Sequence, residues 1–169
     1  MKLLIGGYGF YVLGDEELTG GTVLKSVLSW LDDRPSEDLQ LTIFVKNKDS
    51  ASVAFSRFSN FFKNFHDINL LARVSWKIST ESELDLNYDA SIVAVPEVNH
   101  LELIKLFSVR TTKIIVVKPL GISYQDFVEI QTVASKNNCK LFIDFHKRFD
   151  ESNIAFIKKV QDSNSKTGF

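Results

Sequence analysis

Three places in the 169-residue sequence carry residue types that could do chemistry together. The first is Gly6-Gly7-Tyr8-Gly9-Phe10, which follows the apolar run Leu3-Leu4-Ile5. Glycines at a strand's carboxyl end let the backbone turn tightly and come close to a pyrophosphate. A helix beginning just beyond adds its amides and the positive end of its dipole. The second is Val45-Lys46-Asn47-Lys48, at the end of a second strand. An acid there would bind the ribose hydroxyls of NAD, whereas lysines suit the 2′-phosphate of NADP. The third is Lys118, at the end of the apolar run Ile114–Val117. An ammonium at such an edge can give up or take up a proton.

Each place also has a plain structural reading. Val12 stands where the third glycine of G-x-G-x-x-G belongs, and Asp15, Glu16 and Glu17 repel a phosphate unless they point away. The glycine run therefore also reads as a turn with no ligand. Lys46 and Lys48 also read as a solvated strand end, and Lys118 as a lysine that reaches out to water. His100 begins a helical segment and either meets a ligand or caps nothing. Asp144 and His146 share one face of a strand, where a structural hydrogen bond is the simpler role. His66 reads as a loop residue. Three scattered histidines and one cysteine, Cys139, argue against a metal site or a disulfide framework.

These residues must be positioned by short β-branched runs that alternate with helical patterns. Strands are predicted at Lys2–Gly6, Leu41–Lys46, Val74–Ile78, Ser91–Val95, Lys113–Val117 and Lys140–Phe145. Several are apolar on both faces, as strands buried on both sides must be. Helices are predicted at Thr22–Leu31, Ser50–Phe62, His100–Phe107, Tyr124–Lys136 and Ser152–Val160. Regular β-α alternation implies right-handed crossovers and a mostly parallel six-stranded sheet covered on both faces. The expected fold is α/β, a three-layer Rossmann-like domain over residues 1–160. The polar stretch 161–169 reads as a flexible tail.

Composition narrows the function. Formal net charge is −1, so nucleic acid and anionic membranes are not expected partners. The longest apolar runs are too short to span a bilayer, and no signal-peptide layout follows the first strand. A cytoplasmic location is the expectation. Most of the 14 phenylalanines read as core or interface packing.

The carboxyl half carries a more specific pattern. It runs Asp89-Ala90-Ser91-Ile92-Val93-Ala94-Val95-Pro96 with His100 nearby, then Lys113-Ile114-Ile115-Val116-Val117-Lys118-Pro119-Leu120, then Phe142-Ile143-Asp144-Phe145-His146-Lys147-Arg148-Phe149-Asp150. In this order and spacing it resembles the nucleotide-binding domain of the glucose–fructose oxidoreductase (Gfo/Idh/MocA) family, from Met1 to about Val160. The resemblance implies that Pro96 and His100 lie against the nicotinamide half of a dinucleotide. It implies that Lys118 polarises or protonates the substrate oxygen, that Pro119 follows it, often as a cis proline, and that Arg148 and Phe149 lead toward a second domain. Gly7, Gly9, Phe10, Lys46, Pro96, His100 and Pro119 make up the expected cofactor site, and Lys118 is the expected catalytic residue. Departures are Val117 in place of a glutamate and His146 in place of an asparagine.

Two functions remain open. One is an NAD(P)-dependent oxidoreductase domain, with NADP favoured through the lysines, acting by hydride transfer on a sugar, sugar nucleotide or related hydroxy compound. The family's substrate domain lies beyond this chain, so a second domain or subunit, or self-association, is expected to complete the cleft. Little turnover is expected from half a cleft, which orients substrate poorly. The other is a non-catalytic binding or assembly module that keeps only the fold. A fragment of a longer enzyme and a complete protein are equally compatible with the sequence.

Overall fold

The structure is a computed structural model that describes residues 1–14, 21–145 and 150–167, with side chains described as far as residue 160. Six strands form its sheet: β1 (Lys2–Gly6), β2 (Leu39–Phe44), β3 (Val74–Ser79), β4 (Ala90–Val93), β5 (Lys113–Val117) and β6 (Lys140–Asp144). Their order is β3-β2-β1-β4-β5-β6, and every pairing is parallel. The chain thus winds outward in two directions from β1, and the reversal falls between β1 and β4.

The helices are α1 (Phe10–Leu13), α2 (Thr22–Asp32), α3 (Lys48–Asn64), α4 (Ile68–Leu71), α5 (His100–Ser108), α6 (Tyr124–Lys136) and α7 (Glu151–Thr167). In α2, Val23, Leu24, Val27, Leu28 and Leu31 recur at helical spacing, and all are buried. Polar residues set the helix starts. Asn47 accepts the Ser50 amide at 2.9 Å ahead of α3, and Ser123 accepts the Asp126 amide at 3.1 Å ahead of α6.

Successive strand residues face opposite ways, which makes two cores. On one face, α1 to α4 pack Val12, Leu24, Leu28, Phe58 and Leu70 over Leu3, Ile5, Leu41 and Ile43. On the other, α5 and α6 pack Leu103, Ile104, Phe107 and Ile130 over Leu4, Val93, Ile114 and Val116. Each helical layer covers part of its face, so two diagonal corners of the sheet stay open.

Some boundaries differ from the sequence expectations. β2 begins at Leu39 and ends at Phe44, which puts Lys46 beyond the strand, and β4 ends at Val93 rather than Val95. A one-turn helix, α1, precedes α2, whereas the first helix predicted from the sequence begins at Thr22. The closing helix α7 runs to Thr167, past the expected end at Val160. Expectations for Asp15–Glu17, His146, Arg148 and Phe149 lie outside the described residues.

Candidate functional site

In a parallel sheet all carboxyl ends share one edge, and ligands bind where the strand order reverses. Gly7 lies at that reversal. Its φ is +124°, and a Cβ there would sit 2.3 Å from the Ala94 carbonyl oxygen beyond β4. Only glycine combines this backbone conformation with that approach. The Ala94 amide donates to the Gly6 carbonyl at 2.9 Å and extends the β1–β4 contact to the edge. Gly9 differs: a Cβ there would meet nothing within 4 Å among the described residues, so its backbone faces open space there.

The helix after the turn corrects the sequence reading. α1 is a single turn ended by Gly14, so a long-helix dipole is not aimed at the crevice. Val12, in the place of the third glycine, is fully buried in the core. The close backbone approach falls instead to Gly21, just before α2. A Cβ there would lie 2.5 Å from the Tyr11 carbonyl oxygen and 2.5 Å from the Val12 carbonyl carbon. The Gly20-Gly21 pair ahead of Thr22 is its signal in the sequence.

A groove of about 680 Å³ opens at this edge, with Gly7, Tyr8, Lys46, Val95 and Glu102 at its mouth. Leu103 and Leu106 on α5, and Arg110 just past its end, extend it. Its volume suits a cofactor-sized ligand. Lys46 Nζ stands 3.4 Å from Glu102 Oε2, and both side chains are well exposed. The cation is therefore present at the β2 end, with a carboxylate the sequence did not point to as its partner. Phe10, also in the glycine turn, is exposed.

His100 does not meet the expectation of ligand contact. Its side chain is 0% exposed. Nδ1 lies 3.2 Å from the Leu120 carbonyl and Nε2 lies 2.9 Å from the Val95 carbonyl. The ring thus braces the loop after β4 against the loop after β5, and faces protein rather than the crevice. The turn beyond Pro96 folds the chain so that the first residue of α5 points inward.

Pro96 is exposed at the β4 edge, and Lys118 and Pro119 are exposed at the β5 edge. The Lys118–Pro119 peptide is cis. Lys118 shares the carboxyl edge with Gly7 but does not line the groove along α5. The crevice therefore has two sides, one at the ends of β1 and β2 and one at the ends of β4 to β6.

A polar pair that the sequence did not reveal links α1 to the end of β6. The Tyr11 hydroxyl, on α1, donates to Asp144 Oδ2 at the end of β6 at 3.2 Å. The two residues are 133 positions apart. Burial first, then the Asp144 charge and hydrogen bond, push the Tyr11 phenol above its ordinary value, so it remains a donor. In the register of β5 and β6, Asp144 pairs with Val117, the residue before Lys118.

An all-parallel sheet that reverses beside β1, a glycine turn at the reversal and a groove at the carboxyl edge define a Rossmann-type dinucleotide-binding domain. Residues 19–145 match the oxidoreductase family described as GFO_IDH_MocA, NAD-binding Rossmann fold, and the chain belongs to that family. The match begins beyond the Gly6–Gly9 turn.

Similar solved structures include a probable dehydrogenase from Thermotoga maritima, with a TM-score of 0.60 and 18% identity. That alignment covers 98% of this chain and 42% of the other. The WlbA dehydrogenase from Bordetella pertussis, in complex with NADH and UDP-GlcNAcA, aligns at a TM-score of 0.57 and 13% identity, over 97% of this chain and 40% of that one. Biliverdin reductase from Synechocystis, in complex with biliverdin and NADP+, aligns at 0.61 and 11%, over 95% and 42%. The chain thus spans about two fifths of these proteins. No curated protein matches it in sequence. No helix among the described residues is long and apolar enough to cross a membrane.

Proposed function

We propose that this chain is the dinucleotide-binding half of an oxidoreductase that acts on a sugar, sugar nucleotide or related hydroxy compound. The observation that carries the reading is the Gly7–Gly9 turn at the strand-order reversal, with open space at Gly9 and a groove beside it. A bound nicotinamide dinucleotide supplies the hydride acceptor or donor. Gly7 and Gly9 would admit its pyrophosphate, and Phe10 and Pro96 would flank it. Lys46 would meet the ribose end and favour a 2′-phosphate, hence NADP over NAD. Lys118, beside Pro119, would hold or pass the proton of the substrate oxygen. The substrate class draws on solved neighbours such as the WlbA dehydrogenase with UDP-GlcNAcA and an aldose–aldose oxidoreductase from Caulobacter crescentus.

A second wall would have to come from another domain or subunit. The open apolar corner of the sheet supports this. Ile115 and Phe142 face outward there at 39% and 50% exposure. The buried free thiol of Cys139 suits a reducing cytoplasm. Val117, in place of the family's glutamate, favours the rival reading of a fold that binds a dinucleotide and catalyses nothing.

Calorimetric titration with NAD+ and NADP+ tests the reading. Gly9→Ala puts a methyl into open space at a φ of −80°, so the fold is retained while the pyrophosphate path is blocked. The expected result is at least a tenfold loss of affinity, about 1.4 kcal/mol or more, with an unchanged melting temperature. Lys46→Ala should weaken NADP+ more than NAD+. Failure of wild-type protein to bind either cofactor would reject the reading.

A further inference from the structure

The Tyr11–Asp144 pair has no part in the groove at the ends of β1 and β2. It lies at the other side of the crevice. α1 starts directly after Gly9, so Tyr11 is carried by the turn assigned above to the pyrophosphate. Asp144 ends β6, three strands away from β1 in the sheet. The hydrogen bond therefore reaches past the carboxyl ends of β4 and β5. A dinucleotide that crosses the reversal places its two mononucleotide halves on opposite sides of it. With the adenosine half at the Lys46 side, the nicotinamide half falls on the β4–β6 side, where Asp144 is held.

The chemistry of that half changes with oxidation state. The oxidised nicotinamide ring is a cation and the reduced ring is neutral. A fixed carboxylate nearby attracts the first and is indifferent to the second. Asp144 is only partly buried, and the Tyr11 hydroxyl fixes one of its oxygens. The phenol remains protonated at neutral pH, so it supplies a hydrogen bond without adding charge.

We propose that Asp144, positioned by Tyr11, faces the nicotinamide half of the bound dinucleotide and biases the crevice toward the oxidised form. The proposal rests on the dinucleotide-binding reading above. It concerns a carboxylate that does not line the groove along α5.

The test is the ratio of dissociation constants for the reduced and oxidised forms of one dinucleotide, measured by calorimetry or by quenching of intrinsic fluorescence. A unit charge several ångströms away at a partly exposed site changes such a ratio about fivefold. Asp144→Asn should lower the ratio by about that factor, chiefly by weakening the oxidised form. Tyr11→Phe leaves the charge but frees it, and should lower the ratio by a smaller factor. Asp32→Asn, the same charge change on the exposed end of α2, should leave the ratio unchanged. Wild-type protein gives a reading independent of any variant, because a charge-based preference shrinks as salt rises. If both forms bind, but the ratio ignores salt and Asp144→Asn alike, the proposal is overturned and the dinucleotide reading stands. If neither form binds, the dinucleotide reading itself has failed.

Discussion

Among the described residues, two diagonal corners of the sheet lack a helical cover, and they are built from opposite chemistry. At the β2–β3 corner the uncovered residues are Gln40, Ser75 and Lys77, with Lys2 and Asp85 beside them. Lys77 Nζ pairs with Asp85 Oδ2 at 3.4 Å, and both are exposed. At the β5–β6 corner the uncovered residues are Ile115 and Phe142, rimmed by Lys113 and Asp144. Ile154, Phe156, Ile157 and Val160 on α7 are exposed as well. One corner has the residues of a surface that meets water. The other has the residues of a surface meant to be covered. Fold alone does not explain the difference, because each corner is a flank of the same doubly wound sheet. The apolar corner is the one proposed above to take a second wall.

The comparison is sharpest when the same residue type is removed from a covered and an uncovered place. Phe58, on α3, is 0% exposed among the rings of Phe62 and Trp76. Phe58→Ala should cost about 3–5 kcal/mol in urea unfolding. Phe142→Ala should cost about 1 kcal/mol or less. Equal losses would mean that Phe142 is already packed, and would remove the apolar corner.

A charge placed in each corner gives a smaller effect. Phe142→Asp should abolish most dye binding by exposed apolar surface, and any self-association seen in sedimentation, with little change in melting temperature. Lys77→Ala, at the polar corner, should leave both readings as they are, since an exposed ion pair contributes about 1 kcal/mol at most. Dye binding that responds to neither substitution would break the contrast between the corners.

The smallest expected effect is at the rim of the apolar corner. Burial first, and then the Asp144 charge and hydrogen bond, raise the Tyr11 phenol in the folded chain, so the protonated phenol favours folding. That contribution is complete below the ordinary phenol value of about 10 and is lost as pH rises through the raised one. An absorbance titration of phenolate formation should show one late-titrating tyrosine. Asp144→Asn should move it back toward its ordinary value.

Much of this molecule was determined by the sequence alone. The strands Lys2–Gly6 and Lys113–Val117 and the helix Tyr124–Lys136 fall where local patterning puts them. A buried strand or a helical stripe is written within a window of a few residues. The β-α alternation then implies parallel pairing, and parallel pairing implies a shared carboxyl edge for Gly7, Lys46, Pro96 and Lys118. The resemblance in the carboxyl half named the right family from motifs that are also local. What only the tertiary structure decided is which side chains meet. His100 turns inward because the chain after Pro96 folds it against two carbonyls 5 and 20 residues away. Lys46 finds Glu102 across 56 positions, and Tyr11 finds Asp144 across 133. Gly21 takes over the close approach that Val12 cannot make, because α1 ends after one turn and α2 packs against its backbone. No window of sequence contains these pairs. They exist because the order of strands in the sheet brings distant segments to one edge, and that order is set by the packing of the whole core.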